Sequence, residues 1–188
     1  CGATCVSTFT PPATTVITAV ATAGSTFIGW SGACSGSAST CTPNPLDMSV
    51  NRIVNAQFDL IPTLNVTLTA NPNSGTNPLS SFLSATVGGT ATGTINYSFW
   101  WNCNNATTSV ATASTACGAL PAPASGSCLV DNAVGYKCNG VAGTSQNTST
   151  NVYSPNGTYN PKVIAERSTA SPAQAITLVT VSVIPTTT

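Results

Sequence analysis

Histidine is absent from this chain, and charge nearly so. Among 188 residues there are four Lys or Arg and four Asp or Glu, 4 % in all, where an ordinary soluble domain carries about 25 %. Each shortage removes a class of function. Lys137, Lys162, Arg52 and Arg167 are too few to build the basic patch that grips nucleic acid, and too few to hold an anionic membrane surface. No apolar run approaches the length of a transmembrane helix, so direct membrane insertion is not expected. Without histidine there is no Ser-His-Asp or Cys-His arrangement. Asp47, Asp59, Asp131 and Glu166 stand singly, and a glycosidase pair would need two of them to meet across a cleft. No D-x-D-x-D run offers calcium its clustered oxygen ligands. Gly88-Gly89 lacks a following Gly-Lys-Ser/Thr and reads as a turn, not a phosphate loop. The expectation is a protein with no enzymatic role, no cofactor and no metal.

What the chain does hold is cysteine, at positions 1, 5, 34, 41, 103, 117, 128 and 138. Eight thiols admit 105 pairings, so spacing alone does not fix connectivity. They nevertheless fall into four close pairs, and the simplest pairing is Cys1–Cys5, Cys34–Cys41, Cys103–Cys117 and Cys128–Cys138. Zinc is the competing reading, but neither half of the chain shows the two C-x₂-C knuckles of a zinc ribbon. Disulfides imply an oxidising compartment, hence an extracellular or cell-surface location. Each short loop would add on the order of 2–3 kcal/mol in the chain-entropy account.

The rest of the pattern is β. Short alternating runs are bounded by Gly, Pro, Asn and Ser. Thr14 to Ala21, Leu64 to Ala70 and Ile95 to Trp101 alternate, and Ile176 to Ile184 is rich in β-branched residues. No amphipathic helix of useful length is expected. A boundary falls at residues 59–63, where Pro62 stiffens the junction between a run ending at Phe58 and one beginning at Leu64. The fold class expected is all-β: a small β-grasp-like module over residues 1–58, then an immunoglobulin-like sandwich with a disulfide-stapled insertion over residues 64–184, with 185–188 as a tail.

Two stretches carry a resemblance. Gly24-Ser25-Thr26-Phe27-Ile28-Gly29-Trp30-Ser31-Gly32-Ala33-Cys34-Ser35-Gly36, then Cys41, then Asn51 to Phe58, together with Cys1-Gly2-Ala3-Thr4-Cys5, make residues 1–58 resemble the divergent internalin-type B-repeat of bacterial surface proteins. Phe27 and Trp30 would form its aromatic core. That family pattern begins with a strand ahead of the first cysteine. The resemblance therefore implies a module one strand short as given, and an unpaired edge beside a hydrophobic core is an association site. A strand supplied by a second copy is one way to complete it.

Leu68 to Leu79, and Tyr153-Ser154-Pro155-Asn156-Gly157-Thr158-Tyr159 with its Y-x₃-G-x-Y spacing, make residues 64–184 resemble a PKD-type immunoglobulin-like domain. Where that family has W-D-F-G-D-G, this chain reads Phe99-Trp100-Trp101-Asn102-Cys103-Asn104-Asn105. The acids are lost and a cysteine is gained.

Register gives a candidate contact surface. If Leu79, Ser81, Leu83, Ala85 and Val87 face the core, Phe82 faces out. If Ile95, Tyr97, Phe99 and Trp101 face in, Trp100 faces out. Two outward aromatics on so uncharged a sandwich point to a contact surface, unless the long loops cover them. Glycosylation sequons occur at Asn65, Asn96, Asn105, Asn147 and Asn156. Two function classes follow. One is a structural module of a surface protein, adhesin or extracellular fibre, with further copies or neighbouring domains as partners. The other is a carbohydrate-binding accessory module of a secreted hydrolase, with Trp100 and Phe82 as stacking residues.

Overall fold

Alternation along one ten-residue strand sets the architecture of the larger part. In Leu79–Gly88 the side chains of Leu79, Ser81, Leu83, Ala85 and Val87 are buried, and those between them point away. A period of two on a strand places one set on the core face and the other on the opposite face. The computed structural model describes residues 16–43 and 52–183. The chain packs as two units, Cys1–Ile61 and Pro62–Thr188. Each is mostly β, as composition and turn spacing suggest.

In the first unit, β1 (Ile17–Thr18) pairs with β3 (Thr40–Cys41), and β2 (Ser25–Gly32) pairs antiparallel with β4 (Val54–Leu60). The core is small. Trp30, Cys34 and Cys41 are buried, with Ile17, Ala19, Phe27 and Val54 packed on them. Phe27 lies between two rings, 5.2 Å from Trp30 and 5.5 Å from Phe58. The Cys34–Cys41 disulfide closes the loop over this cluster. The Trp30 indole N–H donates to the Ala38 carbonyl inside that loop at 2.8 Å, and the Trp30 backbone N–H donates to Gly36. The Trp30 ring is therefore core, as its context implies. Strand β4 runs to Leu60, so Asp59 and Leu60 belong to a strand and not to a linker. Cys1, Cys5 and Asp47 lie outside the described residues, as do Thr14 and Thr15; of the strand expected from Thr14 to Ala21 only Ile17–Thr18 is extended and paired.

The second unit is a sandwich. One layer has five antiparallel strands in the order β15 (Ala173–Ile176), β14 (Lys162–Arg167), β8 (Ile95–Trp100), β10 (Gly135–Val141), β9 (Ser127–Asp131). The other is built on β7 (Leu79–Gly88), which pairs with β5 (Asn65–Asn71) on one side and with β11 (Ser145–Asn147) and β12 (Asn151–Tyr153) on the other. A three-stranded sheet of β13 (Gly157–Tyr159), β16 (Val179–Ser182) and β6 (Ser74–Thr76) completes it. Inward side chains of both layers form one core: Val66, Leu68, Leu83, Ala85, Val87, Ile95, Tyr97, Phe99, Trp101, Cys138, Val163, Val179 and Val181 among them.

The spacing of Tyr153 and Tyr159 has a packing role. The rings stand 5.0 Å apart, and the Tyr159 hydroxyl donates to the Pro155 carbonyl across the turn. Ile176 to Ile184 is not one strand, because Thr177 and Leu178 separate β15 from β16.

One element departs from the all-strand expectation. An eight-residue helix, α1 (Val110–Cys117), lies between β8 and β9. Its ends are capped. The Ser109 hydroxyl accepts the Thr112 N–H at 3.2 Å, and the Gly118 N–H donates to the Ser114 carbonyl with φ at 103°. A side-chain oxygen at the N-cap and glycine past the C-terminus satisfy groups the helix cannot pair itself. The run Val-Ala-Thr-Ala-Ser-Thr-Ala-Cys has no apolar stripe, and only Ala113 is buried. Alternation and helical periodicity are equally silent about it.

Candidate functional site

The two outward-facing aromatics meet different fates. Ile95, Tyr97, Phe99 and Trp101 do face the core. Trp100 faces the other way, but it is 0 % exposed. This corrects its expected role as a contact residue: the loops cover it. Residues 102–126, with Val134 of the β9–β10 turn, fold back over the outer face of the five-stranded layer. They enclose Trp100 with Cys103, Ala113 and Ile164, and Val110, Cys117, Leu120 and Val134 pack around these. The indole N–H donates to the Gly118 carbonyl at 2.9 Å, so the buried polar atom is satisfied. The cover is stapled by Cys103–Cys117, whose sequence separation is 14.

Gly135, the β10 partner of Trp100, makes room for the cover. A Cβ there would lie 2.7 Å from Leu120 Cδ2 and nearer still to the Phe99 carbonyl. The next tryptophan is held similarly, with Trp101 Nε1 donating to the Asp131 carbonyl at 2.9 Å. Asp131 lies between Cys128 and Cys138, which face each other across β9 and β10 and are joined.

Beside Trp100, and also fully buried, is Lys162. Its ammonium donates to the Asn105 backbone carbonyl and, at 2.8 Å, to Gln174 Oε1. Both partners are neutral, and burial pushes the lysine below its ordinary pKa. The contact ties the start of the cover to β15 through β14.

In the second unit the described carboxylates, Asp131 and Glu166, do not meet. Asp131 Oδ1 accepts the Ala133 and Val134 N–H groups in the β9–β10 turn. Glu166 lies on β14 opposite Asn96, and Asp59 is exposed on β4 in the other unit. Among the described residues no three His, Cys, Asp or Glu gather as a metal site. Among the same residues no helix is long and apolar enough to cross a membrane.

Phe82 lies on the outer face of the other layer and is only partly buried. That face carries, rank by rank across β5, β7 and β11, Asn65 and Gly88; Thr67, Thr86 and Ser145; Thr69, Ser84 and Asn147; then Asn71 and Phe82. Nothing ionisable stands among them.

The sequons divide as well. Asn65 and Asn147 are exposed on this same face, and Asn156 is exposed in the turn before β13. Asn96 Oδ1 is taken by the Gly140 N–H at 2.7 Å, and Ser98 of its sequon is fully buried. Asn105 Oδ1 accepts the Thr107 N–H in a tight local turn, while its carbonyl holds Lys162. Sequence reasoning missed Lys162, α1 and the hydroxyl ranks. The first two gave no periodic signal. The third was visible as Thr67-x-Thr69 facing Ser84-x-Thr86 once the strands are paired.

No curated protein and no solved structure matches the chain. Residues 2–62, which span nearly the whole first unit, match the family model of the divergent InlB B-repeat domain.

Proposed function

We propose that this chain is a non-enzymatic structural module of an extracellular surface protein, an adhesin or a fibre, engaging further copies of itself or neighbouring domains. The match of residues 2–62 to the divergent InlB B-repeat carries the reading. Disulfides support the same compartment: Cys34–Cys41, Cys103–Cys117 and Cys128–Cys138 each close a separate loop. The near-absence of charge lowers the repulsion between packed copies. Among the described residues of the first unit β4 pairs only with β2, and apolar side chains stand out along it, with Phe58 40 % and Leu60 81 % exposed. An open strand edge of this kind favours pairing with another chain. The PKD-type likeness of the second unit rests on sequence alone, on the Tyr153, Gly157 and Tyr159 spacing.

Electron microscopy and sedimentation of the purified chain over a range of concentrations test the assembly role. Regular filaments or discrete oligomers that disperse when Leu60 and Phe58 are both changed to Ser are expected. A monomer at every concentration would rule out self-assembly. Thiol labelling without reductant tests the compartment, and eight reactive cysteines would remove it.

A further inference from the structure

The outer face of the β5–β7–β11 layer is unlike any other surface described above. Its strands are in register, so its side chains stand in ranks about 4.8 Å apart across the strands and about 6.8 Å apart along them. Thr67, Thr86 and Ser145 form one rank, and Thr69, Ser84 and Asn147 the next. The contacts these hydroxyls make are long. Thr67 Oγ1 lies 3.4 Å from the Thr86 carbonyl, Thr69 Oγ1 3.4 Å from the Ser84 carbonyl, and Thr86 Oγ1 3.4 Å from Ser145 Oγ. O–H···O bonds are ordinarily about 2.5–3.0 Å. The hydroxyls are therefore weakly committed within the protein, and both their protons and their lone pairs remain available outward. At the end of the array stands Phe82, partly buried, beside Asn71.

We propose that this face is a docking surface for an ordered, uncharged polysaccharide. The partner follows from the chemistry. A face without Lys, Arg, Asp or Glu offers nothing to a charged polymer and places no charge against a neutral one. Hydroxyls and amides both donate and accept, which matches the alternating donors and acceptors of a sugar surface. Phe82 supplies an apolar flank against which a pyranose ring can lie. A single hydrogen bond to such a group replaces one to water and gains little. Useful affinity arises only when many regularly spaced groups engage one repeating partner at once. The preferred ligand is thus an insoluble, packed polysaccharide and not a short soluble oligosaccharide. This inference goes beyond the structural role proposed above and does not depend on self-assembly. It moves the stacking role from Trp100, which is buried, to a different sheet.

The test is co-sedimentation of the full, disulfide-bonded chain with cellulose and with chitin, alongside their soluble oligomers. The informative variant is Thr67→Val, Thr69→Val and Thr86→Val combined. It keeps β-branching and shape and removes three hydroxyls. Phe82→Ala is measured separately, and Thr158→Val on β13 serves as a control outside the face. Circular dichroism and melting confirm that each variant is folded. The expected result is capture of the parent chain and of Thr158→Val on at least one polysaccharide, with apparent affinity lowered about tenfold or more in the triple-Val variant and lowered in Phe82→Ala. Failure of the parent chain to bind either polymer overturns the proposal, as does equal capture of the triple-Val variant. If the triple-Val change alters oligomeric state while neither polymer is bound, the face serves contacts between copies, and the proposal is likewise overturned.

Discussion

The sandwich has two outer faces built by the same alternation, and they have been finished in opposite ways. Over the five-stranded layer a disulfide-closed insertion turns Trp100, Ile164 and Lys162 into a second core. On the β5–β7–β11 layer the outward Thr, Ser and Asn, with Phe82, Gly88 and, on the adjoining β12, Val152, stay exposed or half-buried. The lesson concerns composition as much as topology. A strand face destined for cover can carry indole and isoleucine. A face that stays wet in a chain with hardly any charge must be made soluble by hydroxyls and amides. The same outward position therefore predicts burial or contact only when its neighbours on the same face are read with it.

The sharpest way to break this comparison is to remove the anchor of the covered face. Trp100→Ala is expected to cost about 3–5 kcal/mol, as large-to-small changes at fully buried aromatics do, and chemical denaturation measures it. The matching change on the open face, Phe82→Ala, should cost about 1 kcal/mol or less. Equal losses would mean that the two faces are packed alike.

Next in size is the staple. Replacing Cys103 and Cys117 together by Ser should cost about 3 kcal/mol, the usual consequence of freeing a loop of this length. Hydrogen exchange should rise in α1 and around Trp100 while β5 and β7 keep their protection. If exchange rises evenly over both layers, the insertion is part of the main core and not a cover.

The alkaline limb gives a smaller and more specific effect. Tyr153 is buried in the main core, its hydroxyl has no hydrogen-bond partner, and desolvation pushes its pKa from 10.0 up to about 12. A group raised in the folded state stabilises the fold below its unfolded pKa, and that contribution is lost as pH climbs from about 10 to about 12. The loss amounts to about 2–3 kcal/mol. Tyr153→Phe should reduce the loss across that window without abolishing it, because burial also raises the Tyr97 and Tyr136 hydroxyls. It should leave stability near pH 7 within about 1 kcal/mol, since an unpartnered hydroxyl is being removed. Lys162 acts in the other direction. Its pKa is lowered by burial, so its cost is relieved as pH rises toward 10.5. Lys162→Met should remove that alkaline gain without affecting the Tyr153 limb.

How much of this was legible beforehand depends on which interaction decides the residue. The inward sets of β7 and β8 follow from period-two alternation, because a sandwich core selects one face of every strand. The short helix was not legible from periodicity, since its eight residues are small and mostly exposed. Yet Ser109 and Gly118, eight residues of helix apart, were cap signals that bracket it. The side of the sheet on which Trp100 stands was readable, whereas its burial was decided by residues 102–126, which no strand pattern describes. Lys162 is the hardest case. A lysine in the run Pro161-Lys162-Val163-Ile164-Ala165 is ordinarily a solvated position on an edge. Here β14 lies between β8 and β15, under the cover, and the ammonium finds carbonyl oxygens instead of water.

The chain has three tryptophans, and each indole N–H donates to a carbonyl inside, or one residue beyond, a different disulfide loop: Trp30 to Ala38, Trp100 to Gly118, Trp101 to Asp131. Light absorbed by each ring is thus emitted from the side of one particular sulfur bridge. Variants that keep a single tryptophan, with phenylalanine at the other two positions, become three optical gauges in one molecule. The order in which their emission shifts red under rising reductant would give the order in which the bridges open.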